Sequence, residues 1–374
     1  MGLPPNETDH DFARWVDARA AKLDPDPPSE PGRVDRSLVR GLGDAGLLPA
    51  LFPGGAGDGP FREAPATRLC LLRERLARED THAETALALQ GLGAYPVLQS
   101  GTEAQRQRWI PEVAAGRAVA AFALTEPDAG SDAAALELRA EPAGDGWRLH
   151  GEKTWISNAP DADVYTVFAR TTPGTRSRGV TAFCVPADRR GLTGTPLEML
   201  SPHALGHLVF DGVEVGPEDV VGLPDQGFTV AMRTLDLFRP SVGAFAVGMA
   251  EAALAAAKEH TARRRAFGGP LSQLQTVAHT LAEMATRTEA ARLLVYSAAA
   301  EYDSGGPEVT VKAAMAKLFA TEAAQFVVDT AVQLHGARAL HRGHLLEHLY
   351  REVRAPRIYE GASEVQRQII ARHM

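Results

Sequence analysis

Glu360 sits on a glycine turn within Arg357-Ile358-Tyr359-Glu360-Gly361-Ala362-Ser363-Glu364-Val365-Gln366-Arg367. A glutamate there can be held at a buried cleft by the helix behind it. Gly361 lets the backbone turn tightly, and Ser363 is expected to cap an amphipathic helix carrying Val365, Ile369 and Ile370. Alone, this segment reads better as a capped surface helix with a solvated glutamate. Other segments change that balance.

Ala123-Leu124-Thr125-Glu126-Pro127-Asp128-Ala129-Gly130-Ser131-Asp132 offers the Thr125 and Ser131 hydroxyls, with Gly130 permitting close approach of a ligand. An Asx- and Ser-capped loop is its plainer reading. In Gly151-Glu152-Lys153-Thr154-Trp155-Ile156-Ser157-Asn158-Ala159, Trp155 and Ser157 stand two apart and so share one strand face. That pair suits an isoalloxazine ring, although a tryptophan alone is more often core. Arg264-Arg265-Ala266-Phe267-Gly268-Gly269-Pro270-Leu271, followed by Gln275, places a guanidinium at a helix end, where it suits pyrophosphate. A solvated basic turn is the ordinary alternative. Gln333-Leu334-His335-Gly336-Ala337 opens the region leading to Glu360. His344-Leu345-Leu346-Glu347-His348 matches a zinc-peptidase pattern whose helical spacing would put both histidines on one face. No third ligand stands out, so that reading is remote.

The elements that must position these residues fall into thirds. Residues 1–118 read as a helical domain, broken at Asp24 to Pro31 and at the glycine-rich connector between Pro53 and Pro60. Residues 119–222 read as an antiparallel β domain, with runs at Trp147 to His150, Val164 to Arg170, Val180 to Pro186 and Leu208 to Val215. Residues 223–374 read as a helical bundle. Leu274, Val277, Ala278, Leu281, Met284 and Ala285 trace one apolar stripe there; Val311, Met315, Leu318, Phe319, Glu322 and Phe326 trace a second, mostly apolar one. The fold class expected is α+β, mostly α.

The formal charge of −8 over 374 residues argues against a general nucleic-acid or anionic-membrane surface. Two cysteines, Cys70 and Cys184, far apart in apolar contexts, speak against a disulfide framework and fit a cytoplasmic home. No stretch reads as long and apolar enough to cross a bilayer. The opening Met1-Gly2-Leu3-Pro4-Pro5-Asn6 lacks the pattern of a secretory signal or of myristoylation.

In order and spacing, these segments resemble the acyl-CoA dehydrogenase family over nearly the whole chain, most specifically at Thr125 to Asp132 and Tyr359 to Arg367. The resemblance implies FAD, with Phe122, Leu124, Thr125, Trp155 and Ser157 against the flavin ring. Arg264, Phe267, Gln275, Gln333 and Gly336 would hold its adenosine and pyrophosphate, typically across a dimer interface. Ser131, Arg239 and Gly361 would meet the substrate, with Ser131 beside the pantetheine arm. Glu360 would take the α-proton of an acyl thioester while the β-hydride passes to flavin N5, leaving a trans-2-enoyl thioester. The implied partners are acyl-CoA, an electron-transferring flavoprotein and further copies of the chain, as a homodimer or homotetramer.

Several positions depart from the family pattern. Some relatives carry the base just before the arginine matching Arg239, but here that residue is Phe238, which leaves Glu360. Gly336-Ala337-Arg338-Ala339-Leu340 replaces the usual Gly-Gly-x-Gly-Tyr. The loop Leu200 to His207 lacks the usual arginine-serine pattern, so an acyl or aminoacyl group on a carrier protein stays open beside free CoA. Glu84 stands where dicarboxylate-specific relatives carry arginine, and its plain reading is an exposed helix glutamate.

Overall fold

The computed structural model describes residues 7–23, 32–55, 59–201 and 203–374. The break expected at 24–31, the middle of the glycine-rich connector, the opening six residues and Pro202 lie outside them. The chain divides into two compact units. One combines residues up to 21 with Pro65–Glu84 and Asp236–Met374; the other combines residues 22–64 with Thr85–Leu235.

The second unit holds an eight-stranded sheet. Its strands are β1 (Ala120–Ala123), β2 (Arg139–Ala143), β3 (Gly146–Ser157), β4 (Val164–Arg170), β5 (Val180–Pro186), β6 (Leu192–Leu197), β7 (Leu205–Val215) and β8 (Val220–Val221). The order is β6-β7-β3-β2-β4-β5-β8, with β1 beside β4. Most pairs are antiparallel, as expected, but β1 runs parallel to β4 from Ala120–Val164 to Ala123–Val167. All seven residues of β5 are buried, so it is a continuous apolar run rather than an alternating one. Strand β3 slips register between Lys153 and Ile156. Among this unit's helices, α2 (Arg36–Asp44) is capped by Asp35, which accepts from the Leu38 N–H. Helix α5 (Glu103–Ala114) starts on a reciprocal Thr102–Gln105 capping box.

Helix α4 (Thr81–Ser100) begins in the first unit, and α6 (Gly227–Arg263) continues into it. The remaining helices there are α1 (Glu7–Ala20), α3 (Ala66–Glu79), α7 (Gln275–Asp303), α8 (Val309–His335), α9 (Leu345–Glu352) and α10 (Ser363–Arg372). Helix α6 corrects one expectation: by length and composition it is apolar enough to cross a membrane. Its most apolar window is 78% buried within the protein, as suits a core helix. Gly248 lets it approach α3, since a Cβ there would lie 2.4 Å from the Glu74 carbonyl oxygen. Glu74 in turn receives Arg292 at 2.8 Å and the Tyr296 hydroxyl at 2.9 Å, which ties α7 to α3.

The two apolar stripes are not the packed faces. On α8 the buried side is Ala313, Ala314, Ala316, Ala320, Ala323, Ala324 and Ala331 with Val327 and Val328. Met315 and Phe319 are each 39% exposed. On α7, Ala278 and Ala285 are exposed, and of the expected stripe only Met284 is fully buried. Alanines permit a close helix approach that larger side chains would block, so small residues took the interior and the larger apolar ones face outward.

Candidate functional site

Glu360 lies in the left-handed region at φ 51°, followed by Gly361 at φ 94°. For a non-glycine residue that backbone costs about 1–3 kcal/mol and marks a position held by its surroundings. Three side chains do the holding. Lys317 Nζ donates to the Gly361 carbonyl at 2.6 Å. Gln366 Nε2 donates to the carbonyls of Glu360 at 3.2 Å and Gly361 at 3.0 Å. Arg239 Nε reaches the Glu360 carbonyl at 3.4 Å. A hydrogen bond from a charged donor contributes roughly 1.5–3 kcal/mol, so these contacts suffice to offset the strain.

Ser363 does not cap α10. It is the first helical residue, and its hydroxyl donates to Glu322 Oε1 at 2.7 Å. Gln366, one turn into the helix, secures the incoming turn instead, because its longer amide reaches the Glu360 and Gly361 carbonyls.

The carboxylate itself is unusual. Part of Glu360 reaches solvent, yet its Oε2 is sealed from solvent and finds no hydrogen-bond partner among the described residues. Burial pushes the carboxyl above its ordinary value, against the pull of Arg73, Lys317 and Arg239. All three cations are deeply buried. Arg73 on α3 meets Glu84 on α4 at 2.5 Å and Ser241 on α6 at 2.7 Å. Arg239 pairs with Asp236 at 3.0 Å, and Asp236 also receives the Thr310 hydroxyl at 3.0 Å. Burial brings Lys317 down to about 8. Glu84 is thus no exposed helix glutamate: it is fully buried, because Arg73 needs a counter-charge there.

In the other unit, the expected loop and the expected strand segment come together. Lys153 Nζ donates to the Leu124 carbonyl at 2.9 Å and to Glu126 Oε1 at 2.7 Å. The Thr154 N–H donates to the Thr125 carbonyl at 3.0 Å. Glu126 also accepts the N–H groups of Glu137 and Leu138, at 2.6 and 2.9 Å. Trp155 lies at φ 52° inside the register slip and is 50% exposed. Trp155 and Ser157 flank the buried Ile156, so the exposed–buried alternation persists through the irregularity. Phe122 is partly exposed and packs on Phe168 with ring centroids 4.8 Å apart, Leu124 is buried, and Ser131 and Gly130 are exposed. A Cβ on Gly130 would meet only open space.

The remaining candidates belong to the helical unit. Phe267, 90% exposed, and Gly268 form the tip of a two-residue hairpin between β9 (Arg265–Ala266) and β10 (Gly269–Pro270), both at positive φ. Arg264 lines an open cleft of about 1340 Å³ with Arg263, Arg265, Arg338, Arg342 and His260. This donor-rich lining suits a pyrophosphate. His260 stacks on His335 at 4.1 Å, and burial lowers both. Gly336 ends α8 at φ 65°, and Gln333 and Gln275 are exposed.

The zinc-peptidase geometry is not realised. His344 precedes α9 and caps it, accepting from the Leu346 N–H, so it lies off the helix that the pattern requires. Glu347 pairs with Arg351 at 2.8 Å, and His348 contacts the Thr81 hydroxyl at 2.5 Å.

Sequence reasoning missed Arg73, Lys317 and Gln366 around Glu360, and the Glu126–Lys153 pair that joins the loop to β3. For Lys317 the available signal was a lysine inside the alanine-rich run Ala313 to Ala320.

Family models for the N-terminal, middle and C-terminal domains of acyl-CoA dehydrogenase match residues 8–117, 121–213 and 225–374. The chain is 38% identical over 312 residues to the probable acyl-CoA dehydrogenase FadE25 of Mycobacterium tuberculosis, across 83% of this chain and 80% of that one. Butyryl-CoA dehydrogenase from Megasphaera elsdenii is similar in structure, with TM-score 0.91 at 34% identity over 100% of this chain and 99% of that one. The prolyl acyl carrier protein oxidase AnaB gives TM-score 0.91 at 26% identity, covering 98% and 99%.

Proposed function

The chain belongs to the acyl-CoA dehydrogenase family of flavin-dependent oxidoreductases, and from that premise we propose that it carries out α,β-dehydrogenation of an acyl thioester with Glu360 as the base. The observation that carries this reading is the Glu360 carboxylate: buried and unpartnered at Oε2, on a strained turn ringed by three cations. A base must be ionised to accept a proton yet basic enough to take one from a weakly acidic α-carbon. Desolvation raises its basicity, and Arg73, Lys317 and Arg239 keep the ionised form accessible.

FAD fits the residues present. Phe122, Leu124, Thr125, Trp155 and Ser157 would hold the flavin ring, and the strained, half-exposed Trp155 supports that assignment. Arg264, Phe267, Gln275, Gln333 and Gly336 would hold the adenosine and pyrophosphate, supported by the cationic cleft around Arg264. When bound, FAD supplies the acceptor for the substrate's β-hydride. Glu360 takes the α-proton and becomes the carboxylic acid, while the electron pair of the broken α-C–H bond forms the trans double bond. Ser131, Arg239 and Gly361 would orient the thioester. Similarity to a butyryl-CoA dehydrogenase supports a short acyl group. We assign electron transfer onward to an electron-transferring flavoprotein. The outward Met315, Phe319, Leu293 and Leu294 support assembly as a homodimer or homotetramer.

A second reading keeps the chemistry and changes the carrier: an acyl or aminoacyl group on a carrier protein. The likeness to AnaB and the altered loop at Leu200 to His207 favour it. Anaerobic mixing with acyl-CoAs and with carrier-bound thioesters separates the two readings by which one bleaches the flavin. Glu360→Gln tests the base itself. The variant should stay yellow and folded while turnover falls by roughly two to four orders of magnitude. Near-normal turnover would defeat the assignment.

A further inference from the structure

We propose that Lys317 is a positioning residue for the reaction: its buried ammonium clamps the Gly361 carbonyl and so fixes the direction and ionisation of Glu360. This rests on Glu360 being the base. Lys317 lies on the alanine face of α8, with no exposed surface, and donates to Gly361 at 2.6 Å. A fully buried lysine is rare unless something needs its charge. This one makes its contact at the carbonyl after Glu360 rather than with a carboxylate side chain. That carbonyl closes a turn in which both residues have positive φ, so losing the donor frees a backbone that does not hold itself.

The charges around the pair are few and can be named. Glu360 faces Arg73 from α3, Arg239 from α6 and Lys317 from α8. Lys317 faces Glu360, Arg239, Glu322 and Glu364. Arg73 is engaged with Glu84 and Ser241, and Arg239 with Asp236. Lys317 is the cation whose bond goes directly to the turn at short distance. Removing its charge should make Glu360 harder to ionise, and removing its donor should also misalign the carboxylate.

Two variants separate these effects. Lys317→Gln keeps an N–H donor without the charge; Lys317→Met keeps the length without either. Flavin content and thermal midpoint report the fold. The pH dependence of anaerobic flavin bleaching reports the base, using the fastest member of a straight-chain acyl-CoA panel. Both variants should move the acid limb up by about one pH unit, lowering the rate about tenfold on that limb. Lys317→Met should also lower the high-pH plateau, and Lys317→Gln should lower it less.

An acid limb that stays in place in flavin-loaded variants overturns the proposal. Loss of flavin from both variants also counts against it, because the lysine would then serve the fold alone. If Glu360→Gln turns over normally, the functional reading falls first. If Glu360→Gln is dead and the lysine variants are unshifted, only the present inference falls.

Discussion

Lys153→Met asks whether a buried lysine underlies the loop assigned to the flavin. Lys153 has no exposed surface and holds the Leu124 carbonyl and Glu126. Burial lowers its pKa from 10.5 to about 8, although Glu126 pulls it back up. At pH 7 the folded protein therefore carries a lysine about 2.5 pKa units worse placed than in water, roughly 3 kcal/mol. Breaking a buried ion pair by removing one partner costs about 3–5 kcal/mol. Here Glu126 keeps two backbone N–H donors, and the variant sheds the lysine's own desolvation penalty. The two effects nearly cancel, so near neutrality the variant should lie within about 2 kcal/mol of the parent.

The pH dependence carries the test. Below pH 8 both folded and unfolded chains hold the Lys153 proton, and its contribution is constant and unfavourable. Between about 8 and 10.5 the unfolded chain keeps a proton that the folded chain has lost, so stability rises with pH there. The slope is about 1.4 kcal/mol per pH unit, and methionine lacks it. From pH 8 to pH 10 the parent should thus gain roughly 2–3 kcal/mol over the variant, a gap of about 5–10 °C in thermal midpoint for a unit of this size. Midpoints of both proteins measured from pH 6.5 to 10 decide it. Lys317, Cys184 and every other titrating group are common to both and drop out of the difference. A parent-minus-variant difference that stays flat, or falls with rising pH, refutes the reasoning, because the lysine would then not be held below its ordinary pKa.

Two further substitutions probe the Glu360 cluster. Glu84→Arg would set a second guanidinium against Arg73 in a site with no exposed surface. It should cost at least about 3–5 kcal/mol, read as a lowered thermal midpoint, and should give no gain of activity on glutaryl-CoA. Gly361→Ala adds a Cβ 2.4 Å from Gln366 Nε2 at a φ of 94°. That strain should displace the Glu360 carbonyl clamp and lower kcat about tenfold or more with flavin content unchanged, and equal kcat in both proteins would exclude it.

What could be read from the sequence was whatever a short segment decides by itself. The Glu360–Gly361 turn and strands β4 and β5 depend on neighbours within a few residues, and turn residues and apolar runs announce them. The α8 stripe was misread because periodicity finds the large apolar residues, whereas close packing between helices selects the small ones. Ser363 was misread because a hydroxyl at a helix start can cap or can bond a distant partner, and Glu322, 41 residues away, won. Trp155 and Ser157 were paired on the strand's alternation, and the buried Ile156 between the outward Trp155 and the half-buried Ser157 keeps that alternation, but the positive φ of Trp155 and the register slip against β7 were not announced locally. The charge cluster was invisible for a stronger reason. Arg73, Glu84, Arg239, Lys317 and Glu360 come from four helices and a turn, and each alone resembles a solvated surface charge. Only tertiary packing makes them one system. The identity of the candidate base is therefore local, while its ionisation is a property of the assembled bundle. Substitutions far along the chain at Arg73 or Lys317 should accordingly change when Glu360 accepts a proton without changing which residue accepts it.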